Sequence, residues 1–206
     1  MPRDRRTRKP TQARSRATVE AIVEASARIV VQDGYAALST NRIAEVAGVS
    51  VGTLYQYFRN KEEVVQALVE RQSHAMIDAF SRALADLITL APEELDDGVA
   101  ALLDATLAAL RVNPALTRRL ILEAPRGGDA DLERLWRQRY TELVRSALYQ
   151  RRDQVRSADV ELMAYVVVTA GYAVFVDAAA YRPELLATEA LRDELHHLVV
   201  RYLGQG

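Results

Sequence analysis

From Arg14 to Leu203 the apolar residues of this chain recur three and four apart, and nowhere do they alternate with polar ones over the length of a strand. Such a chain buries its apolar stripes by packing helices on helices, so the expected fold class is all-α. Breaks fall at Asp33-Gly34, Gly48, Asn60, Pro92, Pro114, Pro125-Arg126-Gly127-Gly128, Ser157 and Pro183, which are residue types that cap or stop helices. They mark out about nine helices. The first runs from Arg14 with Val19, Ile22, Ser26, Ile29 and Val30 on one face. Two short ones lie within 39–58, and longer ones cover 60–90, 93–112, 114–123, 130–152, 158–181 and 186–203. The organisation expected is an arm over 1–13, a small domain over 14–61 and a larger helical domain over 62–206.

The net charge of −1 over 206 residues hides an uneven distribution. Residues 1–61 hold 11 Lys and Arg against 5 Asp and Glu, whereas residues 62–206 hold 16 against 23. A basic segment suits a polyanion, because each phosphate neutralised releases condensed counterions, and an acidic remainder is repelled by one. A charge run also serves simply to keep a surface solvated. The arginines of the arm, Arg3, Arg5, Arg6 and Arg8, with Lys9, fit either use: tracking a minor groove or maintaining solubility.

The chain has no cysteine, which removes disulfides, thiolate zinc sites and cysteine nucleophiles together and fits a reducing cytoplasm. No metal or cofactor is implied. The arginine-rich start passes into amphipathic sequence without an apolar core, so no signal peptide is expected. The longest uncharged run, Leu162 to Val176, falls short of the ~20 apolar residues of a bilayer span and reads as a buried helix. No membrane partner is expected. Nor is an enzyme: no nucleophile with a base and an orienting group, no carboxylate pair and no phosphate loop is apparent. His196 and His197 are adjacent, so a helix points them apart, and His74 stands alone.

The informative stretch is 38–61, LSTNRIAEVAGVSVGTLYQYFRNK. Ser39 or Thr40 is placed to cap a two-turn helix whose apolar face is Ile43, Ala44 and Ala47. Gly48 permits the positive φ of a tight turn, Val49 fills the angle behind it, and Ser50 is placed to cap a second short helix. In that helix Leu54 and Phe58 face inward, while Thr53, Gln56 and Tyr57 share the opposite face. The small Ala44 lets the two helices cross closely, so that the displayed face projects toward a major groove about 12 Å wide. This is the pattern of a helix-turn-helix.

The segment from Arg14 to Ala67 resembles the DNA-binding domain of the TetR family along its whole length. The resemblance implies an all-helical homodimer that binds a pseudo-palindromic operator and is released by a small-molecule effector. It implies that Thr40 contacts phosphate, that Asn41 and Arg42 contact bases or backbone, and that Ser50, Val51, Gly52, Thr53, Tyr55 and Gln56 belong to the recognition surface, with Tyr57 and Lys61 holding the backbone beyond. The chemistry fits: Thr53 and Tyr55 offer hydroxyls and apolar surface, Gln56 can pair bidentately with adenine, and Lys61 supplies charge-assisted phosphate binding. Tyr55 fits equally well wedged between helices. Valine at position 51 departs from the family's frequent lysine and offers only apolar contact.

A short helix reads too few base pairs alone, so the body must supply a dimer surface. The segment 158–181 is apolar almost all round, which makes it either a central core helix or an interface. The resemblance places an intersubunit four-helix bundle at 158–181 and 186–203, with Val167, Ala170, Gly171, Val174, Phe175, Ala178, Leu195, Leu198 and Val199 as interface residues. It also implies an effector pocket in the body. Trp136 with Tyr140, and Met76 with Phe80, are pairs four apart that could line it for a largely apolar ligand, or could be ordinary core.

Overall fold

The computed structural model describes residues 13–89, 95–124, 129–157 and 159–204. The arm, the Pro125–Gly128 break and Ala158 lie outside these residues. The described residues form nine α-helices: α1 (Ala13–Asp33), α2 (Thr40–Ala47), α3 (Val51–Tyr57), α4 (Lys61–Thr89), α5 (Leu95–Arg111), α6 (Pro114–Glu123), α7 (Asp129–Gln150), α8 (Val160–Tyr181) and α9 (Glu189–Leu203). Short 3-10 turns at Tyr35–Ala37 and Leu185–Ala187 complete the order, and there is no strand among the described residues. The all-α expectation holds.

The start and stop signals work through identifiable bonds. Ser39 is the residue that caps α2, its hydroxyl accepting from Arg42 N at 3.2 Å, and Thr40 is the first helical residue. Ser50 caps α3 by accepting from Thr53 N at 3.0 Å, and Asn60 caps α4 by accepting from Glu63 N at 2.8 Å. Gly48 closes α2 at φ +68°, the left-handed geometry that costs glycine least. Asp159 caps α8, accepting from Leu162 N at 3.0 Å, so that helix starts at Val160. The last helix is shorter than its apolar pattern suggests: Leu186 belongs to a 3-10 turn, and the extended Thr188 separates it from α9.

The chain divides into two compact units. The first holds residues 1–72 together with 119–124, the end of α6. Ile22, Ile29 and Val30 of α1, Ile43 and Ala44 of α2, Leu54 of α3, and Val64, Val65 and Leu68 of α4 are all buried there. Helices as short as α2 and α3 are marginal alone. Ile43 and Leu54, each fully buried, hold them in place at about 1.5–3 kcal/mol apiece. Arg71 ties α4 to α1 through Glu24 at 3.1 Å, and Tyr35 N donates to Glu123 Oε2 at 2.8 Å.

The second unit holds residues 73–118 and 125–206. Val144 and Leu148 of α7 pack with Met163, Ala164 and Val168 of α8 and Leu203 of α9, and a separate cluster joins Val99 and Leu103 of α5 to Leu195 of α9. Arg192 of α9 grips Asp104 of α5 with two bonds of 3.0 and 3.1 Å. Helix α8 has 22 residues, with a mean hydropathy of 1.7 over an 18-residue stretch, enough by length and composition to cross a membrane, where its uncharged run alone falls short. One face of it, with Met163, Ala164, Val168 and Ala178 to Ala180, is buried within the subunit, and the rest is half-buried or exposed.

That burial corrects two of the expected interface residues. Ala178 is 2% exposed and Leu195 5% exposed within the single chain, so both are spent on the subunit's own packing. Leu195 completes the cluster with Val99 and Leu103, against which Phe175 and Val199 also lie half-buried. Val174 and Leu198 remain exposed. Val167, Ala170 and Gly171 are half-buried, and a Cβ built on Gly171 would meet nothing within 4 Å.

Candidate nucleic-acid interface

The site is assembled around α3. Leu54 is fully buried and Phe58, the residue that ends the helix in an extended conformation, is nearly so. With those two anchored, Gly52, Tyr55 and Gln56 are exposed, and Val51 and Thr53 half-exposed. Thr53 is held at the base of the helix: its Oγ1 lies 2.8 Å from the Ser50 hydroxyl that also caps its amide. Gln56 stands on the open face with its amide free to donate and accept at once.

Tyr55 is 50% exposed, which resolves its two readings toward the surface. Its hydroxyl lies 3.2 Å from Thr40 Oγ1, so two expected DNA-contacting residues, fifteen apart in sequence, are brought together. Tyr57 does not share the open face with Gln56. It is half-buried, and its hydroxyl accepts from Ser15 Oγ at 3.0 Å, because one further residue along α3 turns the side chain back over α1. Asn41 is exposed at the start of α2. Arg42 reaches back to Asp33 at 2.6 Å, although both side chains remain about half exposed.

Lys61 opens α4 half-buried. Its Nζ donates to Leu38 O at 3.4 Å and stands 5.4 Å from the centre of the Tyr35 ring. An open cleft runs past it, lined by Ser39, Thr40, Tyr55, Arg59, Asn60 and Lys61 among others. Hydroxyls, a side-chain amide and two cations line the cleft together with the Glu62 carboxylate, and the donors among them suit a phosphate oxygen. Arg59 is the member that the sequence motif did not single out: it is exposed, its amide donates to Glu63 Oε2 at 2.7 Å while its guanidinium stands 3.6 Å from Glu63 Oε1, and nothing in its spacing distinguishes it.

The residues expected to line an effector pocket pair across helices. Phe80 of α4 meets Tyr140 of α7 edge-on at 4.9 Å, and Trp136 of α7 meets His74 of α4 edge-on at 4.8 Å. His74 is therefore a ring partner of Trp136, which its isolated place in the sequence concealed. Met76 is half-buried. Burial first, and then the neighbouring Tyr172, push the Tyr140 phenol well above the ordinary tyrosine range.

Residues 22–68 match the family described as bacterial regulatory proteins, tetR family, and residues 94–203, more than half the chain, match the tetracyclin repressor-like C-terminal domain. The chain belongs to the TetR family. The members of this family are DNA-binding transcription regulators, and the helix-turn-helix built on Leu54 lies within the first match.

Among curated proteins, the fatty acid metabolism regulator protein of Bacillus subtilis (strain 168) is 31% identical over 68 residues, 33% of this chain and 35% of that protein. The chain spans about a third to a half of the length of the curated relatives it matches. Among solved structures, a TetR-family regulator from Mesorhizobium loti MAFF303099 superposes with a TM-score of 0.69 at 18% identity, covering 94% of this chain and all of that one. A SmeT–triclosan complex superposes with a TM-score of 0.69 at 21% identity, covering 91% of this chain and 92% of that one. At these identities the superpositions establish the fold.

Proposed function

We propose that this regulator is a cytoplasmic homodimeric repressor that binds a pseudo-palindromic operator and leaves it when a small, largely apolar effector occupies the body. The observation that carries the reading is the seating of α3: Leu54 buried beneath it and Gln56 exposed above. In this reading Val51, Gly52, Thr53, Tyr55 and Gln56 meet base edges. Thr40, Asn41, Arg42, Ser50, Tyr57 and Lys61 hold the phosphate backbone on either side. Arg42 and Tyr57 act from positions already fixed by Asp33 and Ser15, which gives them less reach toward bases than toward backbone.

Two copies are required, because one seven-residue helix spans too little DNA for specificity. The exposed apolar residues of α8 and α9, Val174 and Leu198, with the half-buried Val167, Ala170, Gly171, Phe175 and Val199 beside them, supply the surface for the second copy. An effector acts by binding one dimer geometry more tightly than the DNA-competent one, since only differential affinity shifts a population. That a protein of this fold, SmeT, forms a complex with triclosan supports a small molecule as the effector.

Selection of bound sequences from random duplex DNA, followed by a salt titration on the winner, tests this reading. A repressor of this kind enriches a pseudo-palindrome and loses affinity with a log–log salt slope of about 0.9 per phosphate contacted. Enrichment of no sequence would overturn it.

A further inference from the structure

Helices α7 and α8 run antiparallel in a register fixed by two contacts: Arg145 reaches Glu161 at 3.5 Å, and the Arg137 guanidinium stands 5.8 Å from the centre of the Tyr172 ring. Residue 136 of α7 is therefore level with residues 170–173 of α8, and Thr169 lies within one turn of that level. Near that level two polar atoms, the indole Nε1 of Trp136 and the hydroxyl of Thr169, are buried without a hydrogen-bond partner among the described residues. Native interiors rarely tolerate such a donor, and a core of pure packing would be served as well by phenylalanine and valine of nearly the same shapes. From α4, His74 meets Trp136 edge-on and Phe80 meets Tyr140 edge-on, so the unpaired indole Nε1 belongs to an aromatic setting made by α4 and α7, beside which α8 brings Thr169.

We infer that Trp136 and Thr169 are the polar recognition point of the effector site, between α4, α7 and α8, and that its ligand is a neutral aromatic molecule carrying a hydrogen-bond acceptor, such as an aryl ketone. The inference rests on the reading of the body as effector-binding. The ring faces and edges of Trp136, Tyr140 and Phe80 accommodate an aromatic body. An acceptor oxygen placed between the indole N–H and the threonine hydroxyl satisfies both donors at once. The surroundings also select against charge. The burial that raises the Tyr140 phenol penalises any buried anion in the same way, so a carboxylate analogue is the poorer ligand.

Trp136 is the only tryptophan of the chain, so one indole N–H resonance reports on the site. The full-length 15N-labelled protein is titrated with acetophenone, with α-methylstyrene, which replaces the carbonyl oxygen by a methylene, and with benzoate. Acetophenone is expected to bind about tenfold more tightly than the hydrocarbon and to move the indole proton downfield, with benzoate the weakest. Trp136→Phe and Thr169→Val are expected to bring acetophenone to the level of the hydrocarbon while leaving hydrocarbon binding unchanged. Thr169→Val is also expected to melt no lower than the parent, which separates lost recognition from lost folding. Equal binding of ketone and hydrocarbon, failure of either to bind, or an indole resonance that stays put while the ketone binds would overturn the site. Ketone binding with the indole shift, but without release of operator, would instead overturn the ligand-responsive reading and leave the site standing.

Discussion

The hydroxyl of Tyr55 lies 3.2 Å from that of Thr40, which links the exposed face of α3 to the first turn of α2. If Tyr55 orients Thr40 toward a phosphate, the two side chains act as a unit, and their losses are not additive. Tyr55→Phe and Thr40→Val are each expected to weaken operator binding by about 1 kcal/mol, roughly fivefold, and the double variant to lose clearly less than the sum. Because Tyr55 is half exposed, its thermal midpoint should scarcely move. A fully additive pair in operator titrations would show that each hydroxyl works alone.

Gln56 and Lys61 separate sequence reading from charge. Gln56 stands exposed on the open face of α3, so Gln56→Ala is expected to cost about 1–3 kcal/mol on the preferred operator and to relax preference at one base per half-site. Lys61 sits at the cleft between α2 and α4, so Lys61→Ala is expected to weaken all sequences alike and to reduce the salt slope by about 0.9. Binding measured across a panel of operator variants and salt concentrations checks both. The same uniform loss from both substitutions would refute the division of roles.

Two glycines in the first unit carry positive φ for different reasons, and alanine should tell them apart. Gly48 is left-handed at φ +68°, and a Cβ there meets nothing within 4 Å, so Gly48→Ala is expected to cost only backbone strain of about 1–2 kcal/mol. Gly34 combines φ 85° with ψ 168°, a region nearly closed to side chains. A Cβ at Gly34 would also stand 2.8 Å from Arg119 Nη1, which is paired with Glu123 at 3.2 Å, and Glu123 in turn accepts from Tyr35 N. Gly34→Ala is therefore expected to be the more destabilising, by about 1–2 kcal/mol beyond Gly48→Ala. Denaturant unfolding of the two variants gives the order, and the reverse order would show that the contact with Arg119 yields freely.

What could be read from the sequence was local. Ser39, Ser50 and Asn60 act within four residues of themselves, and Leu54 and Phe58 declare their side by helical spacing, so the helix-turn-helix was legible in advance, and its open face was legible at Gln56 but not at Tyr57. The bond from Ser15 to Tyr57 spans 42 residues, and the ring contact of His74 with Trp136 joins separate helices, so each depends on how helices dock. The pairing of Arg42 with Asp33 similarly needs the turn at Gly34 to bring α1 and α2 together. Helix α8 shows the limit most clearly. Apolar residues all round it give the pattern no direction, and spacing alone could not tell Ala178, spent on the subunit core, from Val174, left on the surface.

Gly171 offers the sharpest test of that surface. It lies midway along α8, and a Cβ there meets nothing within 4 Å, so a side chain can leave the helix at that point without meeting the subunit's own atoms. If α8 packs against its twin in a second copy, the same residue enters the interface twice, once from each side of the twofold axis. Gly171→Phe is therefore expected to leave helix content intact while converting the dimer to monomer in sedimentation equilibrium. Operator affinity should then fall by about a hundredfold or more, because the two half-sites are no longer engaged by one linked pair of readers. A Gly171→Phe protein that remains dimeric and binds operator normally would place the dimer contact away from the middle of α8.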